Sequence, residues 1–354
     1  MTRPLMILLM VLCAPPGWAA AGWEGESRFA LGLEYNSSLY EFEPGETRAA
    51  FASLRVGGEY GKAPQSLSYQ FTVLDPLDRS GGAGPPSRML FGGLEYRSGF
   101  RLGAGFSAEA SARYQFRDAK ERKDRYPVEE DPYTLFSVEG AVRWGERLRL
   151  ALDWSTLDPE DHPSYRYHRA QASLQVEVWR GNRARAFATA GRTRYEYDRA
   201  VLVVPERSAG PPSPPVFRDH RDDGWLASAD WEYSGPLLVR LSLFAQDVDS
   251  TVPGLAYTSW GFDGALSAVL APGWTLLVAM RYEDRRLSRS YLLFDPRVLT
   301  EAGTNYVAVR LRRALGRDLE MELGLGRYVH DVRQDFFSAP QARLKASLSL
   351  VLKL

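Results

Sequence analysis

Between residues 101 and 117 the chain reads RLGAGFSAEASARYQFR, with apolar or small side chains at alternate positions. One face carries Leu102, Ala104, Phe106, Ala108, Ala110, Ala112, Tyr114 and Phe116. The other carries Arg101, Gly103, Gly105, Ser107, Glu109, Ser111, Arg113, Gln115 and Arg117. A period of two belongs to a β-strand with different surroundings on its two faces. Read as one strand, the stretch is far longer than the roughly five or six residues usual in globular proteins.

The pattern recurs along the chain. It appears in FALGLEY (29–35), LRVGGEY (54–60), LSYQFTV (67–73), LFGGLEY (90–96), FSVEGAVRW (136–144), LRLALDW (148–154), AQASLQVEV (170–178) and FATAGRTRYEY (187–197). It continues in WLASADWEY (225–233), LLVRLSLFA (237–245), WGFDGALSAVL (260–270), LLVAMRY (276–282), VAVRL (307–311), LEMELGL (319–325) and ARLKASLSLVLKL (342–354). With the first stretch these make sixteen predicted strands, and helical periodicity is nowhere sustained.

The connections alternate in length. After even-numbered strands they are short: GKAPQ, RSG, GE, RGN, SGP, APG and ALGR. After odd-numbered strands they are longer and rich in charge, Gly or Pro, as in PLDRSGGAGPPS (76–87) and DAKERKDRYPVEED (118–131). Short turns at one end and long loops at the other, over an even strand count, predict an all-β, transmembrane, antiparallel up-and-down barrel. A sandwich or propeller has no reason to sort its loops this way. The predicted outward faces also carry aromatics near their ends. Tyr35, Phe116, Tyr195, Trp225, Trp260 and Tyr282 fall on the loop side, and Tyr60, Tyr96, Trp144 and Tyr233 on the turn side. Two aromatic girdles flanking an apolar band are what a bilayer selects.

At this point the chain resembles bacterial outer-membrane β-barrels of the porin type, over nearly all of residues 27 to 354. The most specific element is the last strand, where Leu344, Ala346, Leu348, Leu350, Leu352 and Leu354 alternate to the C-terminus. The resemblance implies recognition of that strand by the outer-membrane assembly machinery. The family usually ends in Phe or Trp, and here Leu354 takes that place.

Composition changes the picture in three respects. The formal net charge of 0 leaves no basic excess for nucleic acid. The single cysteine, Cys13, falls in an N-terminal MTRPLMILLMVLCAPPGWAAAGW that has the layout of a cleaved signal peptide. Residues 1–21 are therefore read as that signal and 22–354 as the barrel domain. A mature chain without cysteine has no disulfide framework, thiol nucleophile or cysteine metal cluster. With the first strand so close to the cleavage point, no plug, periplasmic repeat or passenger domain is expected before it.

Candidate chemistry is sparse. His162, His168, His220 and His330 lack metal-ligand spacing and read as solvated loop histidines. HPSY (162–165) lacks the Asn-Gly of an outer-membrane phospholipase signature. DHRDDG (219–224) reads as an acidic solvated loop rather than a calcium site. Gly324 and Gly326 are small lumen-facing residues on a strand, with no helix following to make a phosphate cradle. No cofactor and no enzymatic activity are expected.

The lumen says more. Arg97, Arg101, Arg143, Arg147 and Arg149 fall on adjacent predicted strands near the periplasmic end, with Arg143 opposite Arg149 and no comparable acidic cluster facing them. They read as a pore-lining basic strip for anionic solutes. The third long loop is a candidate constriction through Lys120, Arg122, Lys123, Arg125, Glu129, Glu130 and Asp131. In the hairpin near the C-terminus, Leu311 placed opposite Leu319 sets Arg312 against Asp318 and Arg310 against Glu320.

The functional expectation is an outer-membrane channel for polar solutes, because about sixteen strands leave an aqueous lumen. Export of a secreted polysaccharide, with periplasmic export components as partners, is one specific version. Outer-membrane lipid and lipopolysaccharide are the expected surroundings. A surface interaction or adhesion barrel acting through its long loops, including the Pro-rich fifth loop, is the alternative. An outer-membrane hydrolase is a third reading.

Overall fold

The computed structural model describes residues 24–37, 48–77, 88–119, 132–159, 166–198, 201–203, 216–252, 256–287, 304–330 and 341–354. The strands are β1 (Glu24–Ser37), β2 (Arg48–Lys62), β3 (Gln65–Pro76), β4 (Met89–Gly103), β5 (Phe106–Ala119), β6 (Tyr133–Trp144), β7 (Leu148–Pro159), β8 (Tyr167–Arg180) and β9 (Ala184–Tyr197). They continue with β10 (Val201–Val203), β11 (Val216–Arg218), β12 (Arg221–Ser234), β13 (Leu237–Ser250), β14 (Tyr257–Ala271), β15 (Trp274–Leu287), β16 (Thr304–Ala314), β17 (Leu319–His330) and β18 (Gln341–Lys353). All but β10 and β11 form one closed antiparallel barrel of sixteen strands, while β10 and β11 pair with each other inside the fifth long connection.

Closure is made by β1 against β18, from Arg28 opposite Lys353 to Ser37 opposite Leu344. It removes the free edge that no strand could present to hydrocarbon. Leu31, Leu152 and Leu243 stand on the outer face at 57%, 61% and 63% exposure, whereas lumen-facing Glu34 and Glu322 are buried. Water would penalise such an outside, and lipid rewards it. No helix among the described residues is long and apolar enough to cross a membrane. Turns of two to four residues mark one end of the barrel, and connections of six to twenty-three residues the other.

Three expectations are corrected. Residues 101–117 are not one strand: β4 ends at Gly103, a turn follows at Ala104 and Gly105, and β5 begins at Phe106. Gly103, Ala104 and Gly105 have φ of 86°, 50° and 79°, in the left-handed region that glycine enters without a steric cost. A two-residue turn reverses which parity faces inward. The ladder also slips by one residue between Arg101 and Gly103, which restores that parity. Odd-numbered residues therefore face the lumen on both strands, and the alternation reads unbroken through the turn. RSG (97–99), read as the connection, lies within β4.

The second correction concerns the β16–β17 hairpin. Leu311 faces Leu323, Val309 faces Leu325, and Arg312 faces Glu322, four residues along from the expected register. An even slip leaves every side chain on its own face. The third concerns Tyr195, expected on the lipid side. It pairs with Arg169 and Asp222 on the lumen rows and is buried, and Arg192, Arg194 and Glu196 take the outward positions. They follow the outward Ala184, Ala186, Ala188 and Ala190, at the end of β9 nearest the long loops, where headgroups accept charge.

Candidate functional site

The inward rows that form the lumen wall hold most of the charged side chains of the strands. At mid-wall these charges are tied to one another. Glu34 takes Arg55 at 3.1 Å and Lys345 at 3.1 Å, Arg312 reaches Glu322 at 2.7 Å, and Arg169 reaches Asp153 at 2.6 Å. Charge-assisted pairs of this kind fix long side chains against the wall instead of letting them cross the pore.

Toward the short turns, β4 to β7 bring in the predicted arginines. Arg97 bonds Glu95 at 2.7 Å, and the same carboxylate takes Arg113 at 3.0 Å. Arg143 stands opposite Arg149 across the β6–β7 ladder, as expected. Arg143 pairs with Glu109 at 2.9 Å, and Arg149 pairs with Glu139. Among the described residues neither Arg101, on β4, nor Arg147, in the β6–β7 turn, makes an ion pair. No acidic cluster of comparable density was expected to face these arginines, and three of the five each hold a single carboxylate.

A recess rich in arginine remains. It encloses about 570 Å³ and is lined by Arg143, Arg147, Arg149, Arg185 and Arg240 against Glu146, Asp230 and Glu232. Arg185 reaches Glu232 at 3.3 Å and Arg240 reaches it at 3.8 Å, so one carboxylate is shared by two guanidinium groups. Arg185 on β9 and Arg240 on β13 were not singled out from sequence. They come from strands remote in the chain, and their inward parity was the only available signal. Arg97 and Arg101 do not line this recess.

Toward the long loops two patches of the inward rows are apolar or aromatic. Phe51, Leu74 and Met89 form one buried cluster, and Leu157, Tyr167, Tyr195 and Tyr197 another. Beside the second, His220 is buried and stacks on Tyr197 with ring centroids 3.7 Å apart. Its Nε2 lies 3.1 Å from Asp222 Oδ1, and Tyr197 donates its hydroxyl to Asp222 Oδ2 at 3.3 Å. This overturns the reading of His220 as a solvated loop histidine and of DHRDDG as a solvated loop, for Arg221 to Gly224 open strand β12 and Asp222 is fully buried. His168 faces outward, 3.2 Å from Asp198. No cluster able to hold a metal occurs among the described residues. Residues 120–131, 162–165 and 205–215, with the candidate constriction loop, HPSY and the Pro-rich segment, lie outside the described residues, as does the N-terminal 1–23.

No protein-family model matches the sequence, and no curated protein is significantly similar to it. Solved structures are similar in fold. OprB of Pseudomonas putida superposes with a TM-score of 0.52 at 8% identity, over 98% of this chain and 97% of that one. The chain has the porin-type outer-membrane barrel fold. A BenF-like porin from Pseudomonas fluorescens Pf-5 aligns over 94% of this chain and 99% of that one, at 13% identity and a TM-score of 0.49. OccK8 of Pseudomonas aeruginosa aligns over 94% and 98%, at 8% identity and a TM-score of 0.46. Within this porin-type barrel, the arginine-lined recess lies toward the turn end, which is the periplasmic end in barrels of this kind.

Proposed function

We propose that the protein is an outer-membrane channel that passes polar solutes, with a preference for anions. The observation that carries this reading is the recess between β6 and β13, lined by five arginines and three carboxylates inside a closed sixteen-strand barrel. Arg143 and Arg149 also hold Glu109 and Glu139, and Arg147 is without an ion pair among the described residues. A barrel of that size encloses more space than its side chains fill. Arginine stays charged at every relevant pH, so the recess attracts anions from the periplasmic side until salt screens it, over about 10 Å at 0.1 M. An acidic polysaccharide is the polymeric member of the same cargo class, and the same recess supports it. The protein then resides in the outer membrane, reached through a signal peptide at residues 1–21.

Purified protein in a planar bilayer tests this directly. The expected result is stepwise conductance, with a reversal potential shifted toward anions at low salt and current block by an acidic oligosaccharide stronger than by a neutral one. A folded barrel that never conducts overturns the channel. Equal block by the two oligosaccharides removes the acidic polymer as cargo.

A further inference from the structure

On the outer face, toward the long loops, Arg192 of β9 stands directly opposite Trp225 of β12. The guanidinium carbon lies 5.4 Å from the centre of a Trp225 ring, and the two side chains are 60% and 63% exposed. Neighbouring outward arginines are already neutralised at short range. Arg194 holds Glu196 at 2.5 Å, Arg221 holds Asp223 at 3.2 Å, and Arg166 holds Asp158 at 2.5 Å. Among the described residues Arg192 has only a long contact with Asp223, at 3.9 Å. Asp247 and Asp249 share this outer face but stand one strand further on, opposite Trp225 and Asp223 across the β12–β13 ladder.

The position decides what an unsatisfied guanidinium there can meet. Ala184, Ala186, Ala188 and Ala190 occupy the outward row of β9 through the apolar band, and Arg192 is the first residue beyond them. A lipid whose chains lie along that band brings its headgroup to the height of Arg192. Tryptophan belongs at the same interface, and stacking on it holds the guanidinium plane while leaving its N–H edge open. A planar, permanently charged fork suits a phosphate.

We infer that Arg192 and Trp225 form a seat for the phosphate of a phosphorylated glycolipid of the outer leaflet, that is, the lipid A part of lipopolysaccharide. This rests on the outer-membrane placement but not on conduction. Trp225 orients the guanidinium and Arg192 binds the phosphate.

The experiment measures binding of bisphosphorylated lipid A, and of the same lipid dephosphorylated, to delipidated full-length barrel in detergent. Arg192→Glu should weaken lipid A binding at least tenfold while heat-modifiable migration stays intact. Arg192→Gln takes its place if the charge reversal blocks folding. Arg310→Glu makes the same charge change on the lumen wall and should leave binding within twofold. Dephosphorylated lipid should bind the unaltered barrel at least tenfold more weakly. Binding within twofold in the Arg192 variant, an equal loss in Arg310→Glu, or no phosphate dependence would each overturn the seat. Cell fractionation reads the membrane placement separately, so a barrel that binds lipid A but sits elsewhere refutes the placement and not the seat.

Discussion

Arg143 and Arg149 face each other across the β6–β7 ladder, yet each is tied to a different carboxylate, Glu109 at 2.9 Å for the first and Glu139 for the second. Like charges directly opposite cost on the order of 0.2–1 kcal/mol in a ladder, and these carboxylates offset that cost. Replacing both arginines by glutamate therefore does more than remove two cations, because it leaves Glu109 and Glu139 uncompensated beside the new carboxylates. The double variant should conduct with a reversal potential moved toward cation preference at 0.1 M salt. The shift should shrink at 1 M, where screening acts over about 3 Å. A conducting double variant with unaltered selectivity would remove this sector from the permeation path.

Val309 and Arg310 are chain neighbours in different solvents. Val309 pairs with Val278 and Leu325 on the outer row, and Arg310 with Leu277 and Gly324 on the inner one. Val309→Arg should cost roughly 2–4 kcal/mol, the amount for a cation near the bilayer midplane. Arg310→Gln should leave stability within about 0.5 kcal/mol, the range for an uncoupled exposed site. Denaturant titration of folding into lipid vesicles compares the two. Equal stabilities would mean that Val309 does not face lipid.

The strand count and most faces were legible because lipid and water impose opposite demands on alternate residues, and that demand repeats in every strand. Features lost from the sequence are those that leave the alternation unchanged. The turn at Ala104 is hidden by the compensating slip in its ladder, and the glycines on either side of it were its only signal. Tyr195 was misplaced because the outward row of β9 leaves the apolar band at Arg192, where arginine is as acceptable as an aromatic ring. Of the site, the arginines of β4 to β7 were readable from parity. Their carboxylate partners were not, nor were Arg185 and Arg240, since those depend on how remote strands meet around the barrel. The burial of Asp222 beneath His220 and Tyr197 was masked by a sequence as polar as any loop.

The β16–β17 register shows how little pattern alone decides between even slips. The expected pairing set Arg312 against Asp318, while the structure sets it against Glu322 with an ion pair of 2.7 Å. Both satisfy charge and both keep leucines outside. Paired cysteines separate them on the water-accessible wall, in a chain with Cys13→Ser. Ala308→Cys with Gly326→Cys should oxidise readily, because these residues are direct ladder partners and antiparallel partners lie within disulfide reach, about 4.5–5.5 Å between Cα atoms. Ala308→Cys with Glu322→Cys should stay reduced under the same oxidant. The reverse outcome would restore the other register.

The turn at Ala104 offers a test of topology and of local conformation together. If residues 101–117 crossed the membrane as one strand, residue 104 would face lipid and be closed to water-soluble reagents. In the structure it is exposed, in a two-residue turn at the end of the barrel opposite the long loops. With Cys13→Ser, Ala104→Cys should resist a membrane-impermeant maleimide in intact cells and label fully once the outer membrane is opened. Ser213→Cys, in the fifth long connection, should label in intact cells. A second substitution reads the backbone. With φ of 50° at Ala104, a β-branched residue is disfavoured there, and Ala104→Val should destabilise the barrel by about 1–2 kcal/mol, the scale of a left-handed residue with a side chain. Ala104→Gly should not destabilise it, because glycine enters that region freely. Labelling at 104 in intact cells would invert the barrel in the membrane. A neutral Ala104→Val would mean that this residue sits in extended backbone and that the chain does not turn here.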